Sequence, residues 1–177
     1  RGSDQQIYPP MNQFLTENGI TFLDGYRAEH ISSDLDLVVV GNAISRGNPE
    51  LEAVLDKRLR YASLPEILRN EFLWHARSVV VAGTHGKTTT AFMLAWTLRE
   101  AGIDPSFLIG GISRNFGTSG HLGSGDLFVV EGDEYDSAFF DKSAKFLKYL
   151  PDVVVVNNIE FDHGDIYRDL EELRITF

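Results

Sequence analysis

An α/β fold built on a mainly parallel sheet and divided into two domains is what this sequence predicts, and three observations carry that expectation. Short β-branched runs such as Val79-Val80-Val81-Ala82 and Val153-Val154-Val155-Val156 alternate with segments of helical periodicity, the order that yields parallel strands covered by helices. A glycine-rich loop, Gly83-Thr84-His85-Gly86-Lys87-Thr88, stands between one of those runs and a helix. At 177 residues and 43% hydrophobic content, the chain can bury one large core or two small ones.

In order, Met11 to Asn18 reads as a helix behind Pro9-Pro10, Thr21 to Leu23 as a strand, Asp36 to Val40 as a buried strand, and Pro49 to Arg58 as a helix. A further helix spans Pro65 to Trp74, and the domain boundary is expected at His75 to Arg77, giving domains 1–76 and 77–177. The second domain opens with the strand from Ser78 to Ala82. The phosphate-type loop follows, then an amphipathic helix from Thr88 to Ala101 closed by Gly102, the residue suited to a left-handed C-terminal cap. Strands are expected at Ser106 to Ile109, Leu127 to Val130 and Val153 to Val156. Arg1-Gly2-Ser3-Asp4 opens without a preceding strand and Leu170 to Phe177 is helical with no stop signal, so the chain is expected to be part of a longer enzyme.

Composition excludes several classes of function. Sixteen basic against 26 acidic residues leave a formal charge of −10, a field that repels nucleic acid and acidic membrane surfaces. There is no cysteine, which removes disulfides, thiolate zinc sites and a cysteine nucleophile, and fits a reducing compartment such as the cytoplasm. No apolar run approaches the roughly 20 residues of a membrane span, and the N-terminus has no signal-peptide stretch.

Chemistry concentrates at three strand ends. A glycine turn between a buried strand and a helix aims backbone N–H groups at phosphate oxygens, and the helix dipole adds to the attraction. Within this loop Lys87 would reach the outer phosphates of ATP, and the Thr88 hydroxyl is placed to ligate Mg²⁺; Gly83, Thr84, His85, Gly86 and Thr89 complete the cofactor-binding set. The loop is one variant shorter than the usual pattern, which would put a glycine at Val81. A strand-to-helix turn with a chance Gly-Lys-Thr is the competing reading.

Leu127-Phe128-Val129-Val130 runs into Glu131-Gly132-Asp133-Glu134-Tyr135-Asp136, four carboxylates at the end of a buried strand, where α/β sheets bind ligands. A carboxylate there can hold Mg²⁺; a solvated acidic turn is the alternative. Val153 to Val156 leads into Asn157-Asn158-Ile159-Glu160-Phe161-Asp162-His163. A single histidine is more often structural than functional, and it is the convergence of three strand ends that makes His163 a candidate.

At these residues the sequence resembles the Mur ligase family, ATP-dependent amide-forming enzymes of bacterial cell-wall precursor synthesis that use the short Gly-Thr-x-Gly-Lys-Thr loop. The resemblance rests on that loop, on Tyr8-Pro9-Pro10-Met11, on Gly41 to Pro49, on Glu131 to Asp141 (EGDEYDSAFFD) and on Asn157 to Asp165 (NNIEFDHGD). It implies an N-terminal Rossmann-like domain for the UDP-sugar, incomplete at its start. Part of a P-loop-type central ATPase domain would follow.

Within the family, the similarity is greatest to members that join L-alanyl-γ-D-glutamyl-meso-diaminopimelate to UDP-N-acetylmuramate through an acyl phosphate, recycling cell-wall peptide. Members that add L-alanine to the same nucleotide are less similar around Phe139 to Phe146, and they supply the alternative activity. A non-catalytic nucleotide-binding module is a third reading. Carried over from the family, Thr88, Glu131 and His163 fall on magnesium positions, Lys87, Glu131 and His163 on catalytic ones, and Asn115 and Asn42 on positions facing the sugar nucleotide. Gly132 stands where alanine is usual. The resemblance further implies that the isolated segment is inactive.

Overall fold

The computed structural model describes residues 1–9, 11–160 and 169–176. They fall into two compact units, Arg1–Ser63 and Leu64–Phe177. The first contains strand β1 (Gly2–Asp4), helix α1 (Met11–Glu17), strand β2 (Phe22–Asp24), strand β3 (Val38–Val40), helix α2 (Pro49–Asp56) and strand β4 (Tyr61–Ser63). β1 pairs with β2 and β3 with β4, both in parallel. Asn48 starts α2: its side-chain oxygen accepts from the N–H groups of Glu50 (3.0 Å) and Leu51 (3.2 Å), and Pro49 follows at the first helical position, where its missing N–H costs nothing. Ala53 and Val54 of α2 pack against Ile31. The expected buried strand from Asp36 is shorter and only half buried. Val39, 47% exposed, points outward while Val40 is inside, the alternation of a strand with one face in the core.

The second unit runs α3 (Leu64–Glu71), β5 (Arg77–Ala82), α4 (Lys87–Glu100), β6 (Ser106–Leu108), β7 (Gly120–His121), β8 (Leu127–Glu131), β9 (Asp136–Ala138), β10 (Asp141–Ala144), β11 (Val153–Val156) and α5 (Leu170–Thr176). Its five-stranded sheet has the order β11-β5-β8-β6-β7, parallel except for β7. β9 and β10 form a separate antiparallel pair. Alternate side chains of the central strands enter two cores. Val80, Ala82, Phe128 and Val130 meet Leu68, Leu73, Phe146 and Tyr149 on one face; Val81 and Val129 meet Ala91, Ala95, Phe107 and Ile109 on the other. Val80, Val81, Val129 and Val130 are each at most 1% exposed, and burying a side chain of that size contributes about 1.5–3 kcal/mol.

The second unit begins at Leu64 and includes α3, which sends Leu68 into the core beneath β5 and β8. Helical periodicity identified that helix but not the sheet it serves. The valines of β11 are apolar in sequence, yet Val153, Val154 and Val156 are 49%, 50% and 47% exposed, since β11 borders the sheet on one side among the described residues.

Candidate nucleotide-binding site

Parallel pairing brings three strand ends to one edge. Val156 lies opposite Ala82, and Glu131 opposite Val81, so the loop after β5 sits between the segments that follow β8 and β11. This is the position at which open α/β sheets take ligands.

The loop is held from outside itself. Gly83 has φ +121°, and a Cβ there would stand 2.8 Å from the Asn158 carbonyl oxygen, so backbone passes directly against backbone. The Thr84 N–H donates to that carbonyl (3.0 Å) and the Thr84 hydroxyl donates to the Glu160 carbonyl (3.0 Å). The His85 N–H donates to the Asn158 side-chain oxygen (2.8 Å), and the Asn157 amide nitrogen donates to the His85 carbonyl and to the Thr90 hydroxyl, both at 3.1 Å. Gly86, left-handed at φ +79°, turns the chain into α4. Asn157 and Asn158 were singled out in the sequence only as neighbours of His163. Their role as braces of the loop becomes visible in the fold alone, because the register of β11 against β5 decides where their side chains arrive.

Lys87 and Thr88 begin α4, at the positive end of its dipole. The Lys87 ammonium donates to the carbonyls of Gly83 (2.7 Å) and Thr84 (3.1 Å) and to Glu134 Oε1 (3.1 Å), with Glu134 Oε2 at 2.8 Å. The Thr88 hydroxyl donates to Glu131 Oε1 (2.8 Å), while Glu131 Oε2 accepts from the Gly110 N–H (2.7 Å). His85 and Thr89 are exposed on the outer side of the turn.

The four carboxylates after β8 do not act together. Glu131 and Glu134 face the loop, whereas Asp133 pairs with Lys145 (2.7 Å) and Asp136 with Lys142 (2.8 Å). Lys148 pairs with Asp141 (2.6 Å), where hydrogen bonds from Lys148 and Ser143 outweigh burial and hold the Asp141 carboxyl below its ordinary range. The segment Phe139 to Phe146 is thus a turn and strand of the β9–β10 hairpin tied by lysine–aspartate pairs. Gly132 between these acids is closely packed: a Cβ would lie 2.7 Å from Val80 Cγ1 and 3.2 Å from Ala82 Cβ. An alanine there requires the Val80 side chain to shift and leaves Phe146 Cβ at 3.1 Å.

His163 lies outside the described residues. Among those described, no group of three or more histidines, aspartates and glutamates could hold a metal ion. The donor pair Thr88 and Glu131 nevertheless suits Mg²⁺, a hard ion usually held by one or two protein oxygens together with water and substrate phosphate. Asn115 is exposed in the loop after β6, its N–H on the Ser113 hydroxyl (3.2 Å).

The first unit has its own cavity, of about 470 Å³, lined among others by Ser3, Tyr26, His30, Asn42 and Glu50. His30 Nδ1 is 2.6 Å from Glu50 Oε1, and the Ser3 hydroxyl also donates to Glu50. Burial, reinforced by the Asp4 carboxylate that accepts from it, pushes the Tyr26 phenol up to about 12, so it remains a neutral donor. No helix among the described residues is long and apolar enough to cross a membrane.

Comparison with known proteins gives a consistent result over both units. The Mur ligase family catalytic-domain model matches residues 1–72, and the Mur ligase middle-domain model residues 81–176. The chain is 49% identical over 176 residues to a UDP-N-acetylmuramate–L-alanyl-gamma-D-glutamyl-meso-2,6-diaminoheptandioate ligase of Escherichia coli strain K12, covering 99% of this chain and 38% of that protein. A UDP-N-acetylmuramate–L-alanine ligase of Carboxydothermus hydrogenoformans is 41% identical over 167 residues, which is 92% of this chain and 33% of that protein. The crystal structure of the UDP-N-acetylmuramate:L-alanyl-gamma-D-glutamyl-meso-diaminopimelate ligase from Neisseria meningitides superposes with a TM-score of 0.92 at 44% identity, over 99% of this chain and 57% of that one. The chain therefore spans between about a third and somewhat over half of these relatives.

Proposed function

Because this chain belongs to the Mur ligase family, we propose that it is the nucleotide-binding part of an ATP-dependent ligase that joins L-alanyl-γ-D-glutamyl-meso-diaminopimelate to UDP-N-acetylmuramate in the bacterial cytoplasm. The observation that carries the reading is the arrangement of Lys87, Thr88 and Glu131 at the N-terminus of α4. It is supported by the 49% identity to a ligase of that specificity, against 41% to one that uses L-alanine. The cavity of the first unit, within the size range of small-molecule sites, suits a uridine diphosphate group, with Asn42 on its lining. Residues 1–76 would serve as the UDP-sugar domain and residues 77–177 as the ATP domain.

In this reading the γ-phosphoryl group of ATP passes to the carboxylate of UDP-N-acetylmuramate and ADP leaves. The peptide amine then attacks the acyl carbon and phosphate departs. Such chemistry depends on position and charge neutralisation rather than on a protein nucleophile. Lys87 neutralises oxygens of the transferred group, the α4 N-terminus and loop N–H groups hold the phosphates, and Thr88 and Glu131, together with His163 by family position, would hold Mg²⁺. The ion would supply further neutralisation of phosphate charge.

Glu131→Gln keeps the shape but removes the only negative charge of the donor pair, so the full-length protein should require roughly tenfold more magnesium for half-maximal turnover. An unchanged magnesium titration would remove Glu131 from the metal site. The amine specificity is tested by phosphate release with UDP-N-acetylmuramate, ATP and each amine in turn. The tripeptide is expected to turn over faster; faster turnover with L-alanine would establish the other activity.

A further inference from the structure

We propose that Glu134 is the positioning residue of the phosphate-loop lysine, holding the Lys87 ammonium at a fixed place and tempering its charge while nucleotide binds and reacts. This rests on the ligase reading above and deepens it. The Glu134 side chain is 1% exposed and that of Lys87 13%, so the pair is withdrawn from water at the floor of the loop. An ammonium has three protons to donate, and here the carbonyls of Gly83 and Thr84 and the Glu134 carboxylate receive them. An incoming phosphate oxygen must take over one of these places.

The two carbonyls belong to the loop and move with it. Glu134 belongs to the separate segment after β8, and its carboxylate, buried without a cation, would be strongly unfavourable. It is therefore the partner that keeps hold of Lys87 when phosphate arrives, limiting Nζ to a small arc around the carboxylate. The same negative charge opposes the polyphosphate, which weakens ground-state binding. Anchoring and damping make opposite demands on ATP affinity and on turnover, and this gives the proposal a signature.

Glu134→Gln preserves shape and removes charge. In the full-length ligase it should lower kcat by roughly 10²-fold, the loss typical of a misplaced catalytic group, while the Kd for magnesium-ATP holds or falls by up to roughly tenfold as the opposing charge disappears. In a Lys87→Ala background the same substitution should leave the residual kcat unchanged, because Glu134 positions through Lys87, while the direct effect of its charge on Kd remains. Kd is read by titration calorimetry and kcat by phosphate release. An unchanged kcat, a weakened Kd, or a further loss of kcat on adding Glu134→Gln to Lys87→Ala overturns the assignment. If the glutamine variant does not fold, Glu134→Asp carries the test: it keeps the charge with a shorter reach, so kcat should fall at constant Kd, and an unchanged kcat again overturns it. Should Lys87→Ala itself leave turnover intact, the ligase reading fails first, which separates the two.

Discussion

Lys87→Ala in the full-length protein should lower ligation by roughly 10³-fold or more, since removal of a single preorganised donor to a developing oxyanion already costs about 10²–10³ and this donor carries a full charge. The buried ion pair adds a second expected result. Removing Lys87 takes away the ammonium that lies 2.8 Å from the Glu134 carboxylate, itself 1% exposed, and breaking a buried pair in this way destabilises by about 3 kcal/mol or more. Denaturant unfolding of Lys87→Ala should therefore show an earlier midpoint, and the double variant Lys87→Ala/Glu134→Gln should recover much of the stability with none of the activity. Near-normal turnover of the single variant would sink the assignment of the loop. Wild-type stability of that variant would show that the pair is solvated and its energetic role small.

Gly83→Ala is expected to be nearly as damaging by a different route. The new methyl group meets the Asn158 carbonyl oxygen at 2.8 Å and the Asn158 nitrogen at 3.0 Å. Both are backbone atoms of a segment fixed by β11, so neither can swing aside as a side-chain tip would. The φ of +121° is itself unfavourable for any residue with a Cβ. Together these should destabilise the second unit by about 2–4 kcal/mol and reduce magnesium-ATP binding by at least roughly tenfold. A variant that binds ATP normally would show that the loop and the strand beyond it can separate without loss of function.

The parallel sheet and its phosphate loop were legible because period and punctuation coincide there: four consecutive valines mark β11 from Val153 to Val156, and Ser78 to Ala82 followed by two glycines marks β5 and the start of α4. Tyr61–Ser63 and the hairpin of Asp136–Ala138 with Asp141–Ala144 escaped notice. They are short and carry polar or small residues, and their strand character comes from a partner rather than from their own pattern. The acidic run after β8 was legible as a feature but not as an arrangement. Charge alone cannot say that Glu134 turns inward to Lys87 while Asp133 and Asp136 turn to lysines of the hairpin. Likewise nothing local distinguishes Asn158 as the residue whose carbonyl and side chain both brace the loop.

The braces on the phosphate loop also set a timetable. The Thr84 hydroxyl finds the Glu160 carbonyl 76 residues farther along the chain. During synthesis at about 5–20 residues per second, roughly 4–15 s separate the appearance of those two residues. Throughout that interval the loop exists as sequence without the strand that gives it shape. A nascent chain that has not yet reached Asn157 accordingly lacks the bonds to Asn157, Asn158 and Glu160, and competence to grip a polyphosphate arrives late, when β11 closes against β5.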